Sequence, residues 1–81
     1  MDTAVPKGKR ELIIKAAEKV FSTKGFYQAK VEEIAAEAGV GKGTVYEYFS
    51  SKEEVFKEML IYISREYVEL LSERASGFGS A

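Results

Sequence analysis

Residues 42–54 read Lys-Gly-Thr-Val-Tyr-Glu-Tyr-Phe-Ser-Ser-Lys-Glu-Glu and are the most informative stretch of the chain. Val45 and Phe49 stand four positions apart, which places both side chains on one face of a helix. We therefore predict a short helix over residues 42–49 that turns these two side chains inward. Its other side carries a lysine, a threonine and two tyrosines, all of which are side chains that contact DNA.

A second helix is predicted to begin directly after this one. Ser51 and Glu54 fit the Ser-x-x-Glu pattern of a capping box, and Ser50 and Glu53 fit it one residue earlier. We expect this helix over residues 52–75, a length of ~35 Å. Its apolar side chains spread around more of the helix than three short helices can cover. Its far half is therefore expected to pack against something outside this chain.

Residues 31–40, Val-Glu-Glu-Ile-Ala-Ala-Glu-Ala-Gly-Val, predict a short amphipathic helix upstream. We place this helix at residues 30–38, with Gly39 allowing a sharp turn and Gly41 as a permissible N-cap of the next helix. A helix, a glycine turn and a second helix form the helix-turn-helix layout, in which the second helix enters the major groove.

The N-terminal part predicts one further helix. Apolar side chains recur over residues 9–23 with a period of about 3.6, which indicates an amphipathic helix. Gly25 occupies the position at which a left-handed residue ends a helix, and Phe26 is expected to fold back onto the core. The predicted fold class is therefore all-α: a three-helix, homeodomain-like helix-turn-helix domain followed by a long fourth helix.

The composition narrows the class of protein. Eighty-one residues allow one small domain. The chain contains no cysteine and no histidine, which excludes internal disulfides and removes the commonest general base. No apolar run approaches the ~20 residues of a membrane span, and the N-terminus lacks the apolar segment of a secretion signal. We expect a cytoplasmic protein that is not an enzyme and needs no cofactor or metal.

The net charge of −1 argues mildly against nucleic acid, because DNA-binding domains are usually basic. The charges are unevenly distributed, however. Residues 1–30 hold seven basic and three acidic side chains, whereas residues 31–81 hold five basic and ten acidic ones. This pattern predicts DNA binding by one face only, with the acids of the long helix forming a solvated face partly paired with Lys57, Arg65 and Arg74.

The ordered set of motifs resembles the N-terminal DNA-binding domain of TetR-family transcriptional regulators. The resemblance covers residues 9–68, and the joint spacing of the motifs makes it specific. Those motifs are Ile14-x-Ala16-Ala17-x3-Phe21, Gly25-Phe26, Val31-x2-Ile34-Ala35-x2-Ala38-Gly39-Val40 and Lys42-Gly43-Thr44-Val45-Tyr46-x-Tyr48-Phe49-x2-Lys52-Glu53.

This resemblance implies the DNA-reading head of a ligand-responsive repressor. Family members are usually longer, and their C-terminal helical domain binds a small effector and forms the homodimer. We therefore expect duplex DNA as the partner, a palindromic operator when the protein is dimeric, a monomer for these 81 residues, and no effector site or membrane contact within them. The expected organisation is a flexible basic arm at 1–8, the DNA-binding domain at 9–68 with its motif at about 31–50, and the helix end with a flexible tail at 69–81.

Seven residues are candidate contacts with DNA: Lys30, Lys42, Gly43, Thr44, Tyr46, Tyr48 and Lys52. Lys42 can donate to guanine O6 or N7, and the glycine after it allows the backbone to approach closely. Thr44 can contact a thymine methyl or a phosphate, or can bond locally. Tyr46 lies about 100° around the helix from Val45 and should face DNA, whereas Tyr48 is expected nearer the core boundary with its hydroxyl exposed.

The resemblance to the family makes Lys30 and Lys52 the remaining candidate contacts. The family uses the lysine at the position of Lys52, together with free amides at the helix start, to grip a phosphate. It favours threonine around Ala29 and Lys30, where the hydroxyl caps the second helix and touches a phosphate. Lys30 would reach that phosphate here as a point charge. The family also usually has serine at the position of Gly41, so one cap hydroxyl is lost. Glu47 can accept from cytosine N4 or repel the backbone, and it is left unassigned.

A second interpretation belongs to another class of protein. The surplus of apolar side chains on the long helix also fits a helical interaction module that docks a partner protein. Both functions can hold together. Salt-dependent binding to duplex DNA separates them, because a pure docking module should show none.

Overall fold

The computed structural model describes residues 8–79, with side chains through residue 72, and it confirms an all-α fold. Apart from Gly8, the predicted N-terminal arm lies outside the described residues. The helices are α1 (Lys9–Lys24), α2 (Val31–Ala38), α3 (Lys42–Tyr48) and α4 (Lys52–Gly79). Within residues 8–79 no helix is both long and apolar enough to cross a lipid bilayer.

One apolar core joins the three short helices to the first turns of α4. The side chains predicted to point inward are buried, and Ile13, Ile34, Val45 and Val55 are fully enclosed. Phe49 is also buried, although α3 ends one residue before it and its backbone is extended. Burial of such side chains supplies about 1.5–3 kcal/mol each, so this shared core fixes how α3 is presented.

The corner between α1 and α2 depends on a glycine and an aromatic cluster. Gly25 has φ 82° and ψ 163°, so the predicted positive φ is found but the predicted left-handed helical conformation is not. Its amide still donates to the carbonyl of Phe21, at 2.8 Å. Phe26 folds back as predicted, with its ring centroid 5.8 Å from that of Phe21 and 5.0 Å from that of Phe56.

The turn between α2 and α3 is the predicted glycine turn. Gly39 has φ 75° and ψ 28°, a left-handed conformation that costs most other residues about 1–2 kcal/mol. Its amide donates to the carbonyl of Ala36 at 3.2 Å, and the amide of Val40 donates to that of Ala35 at 3.0 Å. These two bonds are the Schellman arrangement, which satisfies the last carbonyls of α2 and sends the chain into α3.

The start of α4 confirms the cap at Ser51 but alters its second half. The Ser51 hydroxyl accepts from the amide of Glu54 at 3.1 Å, as predicted. The Glu54 carboxylate accepts from the amide and hydroxyl of Ser50, one residue earlier than a capping box requires. Hydrogen bonding to the Ser50 hydroxyl, then to its amide, holds the pKa of Glu54 below its usual value.

Helix α4 is longer than the sequence predicted, because it continues to Gly79 and includes most of the expected flexible tail. Val55 and Met59 are buried against the core, and the Tyr62 hydroxyl donates to the Glu11 carboxylate of α1. Ile63 is partly buried against the same core. The exposed apolar side chains of α4 within residues 52–72 are Leu60, Ile61, Tyr67, Val68, Leu70 and Leu71. Exposure was expected in the far half of the helix, whereas Leu60 was expected on the core side.

The charges of α4 pair differently from the prediction. The sequence predicted pairing with Lys57, Arg65 and Arg74, and the last of these side chains lies outside the described residues. The ion pairs that α4 forms within residues 8–72 reach across to α1 instead. Glu58 accepts from Arg10 at 2.7 Å, and Glu66 lies 3.9 Å from the ammonium of Lys15. Packing of α4 against α1 brings these opposite charges together over about fifty residues of chain, a proximity that helical periodicity alone does not reveal.

Candidate nucleic-acid interface

Helix α3 presents one face to the core and the rest to solvent. Val45 is completely buried, and Phe49 closes the inner face just beyond the helix end. The exposed positions of α3 are Lys42, Gly43, Tyr46, Glu47 and Tyr48, whereas Thr44 is half-buried. The structure therefore brings five of the predicted DNA contacts together on one short helix.

Gly43 has no structural reason within the described residues to be glycine. Its φ is not positive, in contrast to Gly25 and Gly39. A Cβ built on it would meet nothing within 4 Å. Glycine inside a helix costs roughly 0.5–1 kcal/mol relative to alanine. No packing within the described residues compensates for this loss of stability. A glycine of this kind suits a position where another molecule approaches the backbone.

The two tyrosines are alike in exposure. The sequence predicted that Tyr48 would lie closer to the core than Tyr46, but the fractions exposed are 42% and 45%. The difference is absent because α3 ends at Tyr48 and the extended backbone of Phe49 fills the core position itself. The side chains of both tyrosines are thus exposed on α3.

Lys42 is engaged within the protein. Its ammonium lies 2.9 Å from a carboxylate oxygen of Glu32 on α2. This hydrogen bond raises the pKa of Lys42 and lowers the pKa of Glu32. The lysine is therefore charged but already partnered when DNA is absent. Sequence analysis missed Glu32, because a pair ten residues apart across a turn has no periodic signal.

Lys52 also has partners that the sequence did not suggest. Its ammonium donates to the carbonyl of Phe26 at 2.8 Å and to that of Ala29 at 3.2 Å, with the carbonyl of Tyr27 at 3.5 Å. It also lies 4.5 Å from the centroid of the Phe26 ring. The three donors of the ammonium point at the α1–α2 loop, so Lys52 ties the start of α4 to the residues that lead into α2.

Lys30 is exposed at the N-cap of α2. Its ammonium makes no hydrogen bond or ion pair within residues 8–72, so it is available for an external anion. Lys30 has no hydroxyl to accept from the first amides of α2, but the other half of a capping box is present, since the Lys30 amide donates to the Glu33 carboxylate at 3.0 Å. The neighbouring loop also exposes 89% of Tyr27, whose position beside this cap the sequence did not single out.

The basic N-terminal part is less available for DNA than its composition suggested. Three acids of α2 each pair with a lysine of α1 or α3. The pairs are Lys19 with Glu37 at 3.1 Å, Lys24 with Glu33, and Lys42 with Glu32. Because these ion pairs compensate much of the positive charge, α2 sets how strongly the surface attracts an anion.

Comparison with known proteins agrees with this architecture. The family described as "Bacterial regulatory proteins, tetR family" matches residues 13–59. The uncharacterized HTH-type transcriptional regulator YuxN of Bacillus subtilis (strain 168) is 39% identical over 72 residues, covering 88% of this chain and 25% of that protein.

Two solved structures share the fold. The fatty acid degradation regulator FadR from Bacillus halodurans matches with a TM-score of 0.81 and 37% identity, covering 86% of this chain and 38% of that one. FadR from Bacillus subtilis in complex with stearoyl-CoA matches with a TM-score of 0.74 and 34% identity, covering 80% of this chain and 35% of that one. The chain thus spans between a quarter and two fifths of the length of these relatives. It belongs to the tetR family of bacterial regulatory proteins.

Proposed function

We propose that α3 reads duplex DNA in the major groove and that the chain acts as the DNA-binding head of a transcriptional repressor. The observation that carries this proposal is the exposed face of α3. A glycine without any internal packing constraint stands there among a lysine and two outward-facing tyrosines. Such a surface admits close approach of a duplex and supplies donors at its edge.

The residues of this face divide between bases and backbone. Lys42 and Gly43 form the first turn of α3, where a recognition helix meets base edges. Tyr46 and Tyr48 offer hydroxyl donors to phosphates while their rings pack on sugars or bases. Thr44 is half-buried, and its methyl or hydroxyl reaches the groove only at its edge.

The lysines outside α3 contribute to different extents. Lys30 is exposed at the start of α2, which supports a phosphate contact, although its charge also attracts the carboxylates of Glu32 and Glu33. The phosphate contact of Lys52 stays a prediction, because binding a phosphate would draw its ammonium from the carbonyls of Phe26 and Ala29.

The organisation of the whole protein follows from the same proposal. Residues 9–68 are the DNA-binding head, with its motif at about 31–50, and residues 69–81 lead towards a regulatory part. That part would form the homodimer, so that two heads bind a palindromic operator, and would hold a small-molecule effector. The complex of the FadR of Bacillus subtilis with stearoyl-CoA supports the proposal of a small-molecule effector.

The proposal is tested by titrating fluorescent random-sequence duplex DNA at several salt concentrations. We expect weak binding whose log–log salt slope is about −0.9 for each phosphate neutralised. Tyr46→Ala should weaken binding, whereas Lys57→Ala, at an exposed lysine on α4, is the matched surface control. Salt-independent or absent binding would favour the alternative of a protein-docking module that uses the exposed apolar side chains of α4.

A further inference from the structure

Lys42, the lysine at the start of the recognition helix, is held by an acid from the preceding helix. The Lys42 ammonium and a Glu32 carboxylate oxygen are 2.9 Å apart. Both side chains remain accessible, with 51% and 61% of their surfaces exposed. The pair is thus formed at the surface that the proposed function assigns to DNA, and a duplex can reach either member.

We propose that Glu32 competes with DNA for Lys42, so that Glu32 weakens DNA binding by the head. The inference rests on the proposed function, since it requires Lys42 at the interface. A base or a phosphate that takes up the Lys42 ammonium either displaces Glu32 or shares the ammonium with a carboxylate that repels the DNA. In both cases the pair stabilises the free protein more than the complex, and the difference is subtracted from the free energy of binding.

The charges around the pair support competition over a shared contact. The phosphates of a bound duplex repel a carboxylate, so DNA binding does not stabilise the Glu32–Lys42 pair. The shift in the pKa of Glu32 arises first from its hydrogen bond to Lys42, with Lys30 a minor contributor. Lys42 is therefore the main partner of Glu32 in the free protein.

The chain provides a matched control on the same helix. Glu37 of α2 pairs with Lys19 of α1 at 3.1 Å, a similar distance, but Lys19 is not on the recognition helix. Glu32→Gln and Glu37→Gln remove the same charge from the same element. A difference between these variants cannot come from net charge alone.

The test is a double-mutant cycle measured by titration of a random-sequence duplex. Glu32→Gln should tighten binding about two- to fivefold, the range expected from losing an exposed ion pair. It should also steepen the log–log salt slope by up to about 0.9, since one lysine no longer exchanges a protein anion for DNA. In a Lys42→Ala background, Glu32→Gln should increase the affinity for DNA clearly less. Glu37→Gln in the otherwise unchanged protein should give a similarly small increase in affinity.

Three results would overturn the inference. An equal gain with and without Lys42 would assign the effect to general repulsion by the carboxylate. A gain from Glu37→Gln as large as that from Glu32→Gln would assign it to net charge. Weaker binding by Glu32→Gln would show that the carboxylate orients Lys42 or contacts the bases. Glu32→Ala is a second variant, and melting curves confirm that each protein is folded. If the wild-type chain binds no duplex, the proposed function fails as well, and this is distinguishable from the other outcomes.

Discussion

Replacing Lys52 by methionine should destabilise the fold even though lysines are usually surface residues. Methionine keeps much of the aliphatic stem and removes the ammonium. In the native protein that ammonium donates to the carbonyls of Phe26 and Ala29, at 2.8 and 3.2 Å. It also stands over the Phe26 ring, a favourable position for a cation.

The magnitude follows from these contacts. A hydrogen bond to a charged group contributes about 1.5–3 kcal/mol when it is well protected. The two carbonyls are only partly buried, so water can replace part of what the lysine supplied. We therefore expect Lys52→Met to lower the free energy of unfolding by about 2 kcal/mol, which lowers the melting temperature of a domain this size by about 8–16 °C.

Urea denaturation followed by circular dichroism measures the effect directly. Lys57→Met is the matched control, because it replaces an exposed lysine on the same helix and should stay within about 0.5 kcal/mol of wild type. If both variants unfold at the same urea concentration, the carbonyl contacts of Lys52 do not stabilise the fold and the reasoning is refuted.

The same variant decides which partner Lys52 has in the DNA complex. If the ammonium stays with the loop, Lys52→Met leaves the log–log salt slope of duplex binding unchanged. If Lys52 grips a phosphate, the slope falls by about 0.9. Both titrations have to be run well below the melting temperature of the variant, so that loss of folded protein does not mimic loss of a contact.

Three further predictions concern the recognition helix, its turn and the start of α4. Tyr46→Phe should leave the melting temperature nearly unchanged and weaken duplex binding by about 1–2 kcal/mol, because only an exposed hydroxyl is lost; early melting with normal binding would contradict the assignment. Gly39→Ala should lower the free energy of unfolding by about 1–2 kcal/mol, because the φ of Gly39 is 75°. Gly43→Ala should raise the free energy of unfolding by about 0.5–1 kcal/mol and weaken DNA binding. If both variants change the free energy of unfolding in the same direction, this contrast is refuted. The pKa of Glu54 lies below its usual 4.5, so the stability that this carboxylate contributes is complete above pH 4.5 and is lost as the pH falls through the lowered value. The urea midpoint of Glu54→Gln should therefore fall less steeply below pH 4.5 than that of the wild type. An equally steep fall would exclude Glu54 as the source of the acid sensitivity.

Much of the fold could be predicted because it depends on interactions within a few residues. The four helix starts are at, or one residue from, the predicted positions. The turn at Gly39 and the cap at Ser51 are set by local backbone geometry and by one short side chain, so composition and spacing reveal them. The inward position of Val45 follows from helical spacing, whereas Phe49 is buried from an extended residue just after the helix. The end of α4 was predicted less well, because the small residues that suggested a flexible tail continue the helix.

The amino-acid sequence by itself therefore determined the elements, their inward faces and the exposed chemistry of α3. Only the tertiary structure decided which charges are free, because ion pairs form between residues that packing brings together. Glu32 and Lys42 meet across the turn at Gly39, and Lys52 reaches carbonyls 23–26 residues away. Charge counted along the chain assigns the same value to a partnered lysine and to a free one. The free energy for binding DNA differs between them, since a partnered ammonium has fewer donors left for the DNA and, beside a carboxylate, less net charge.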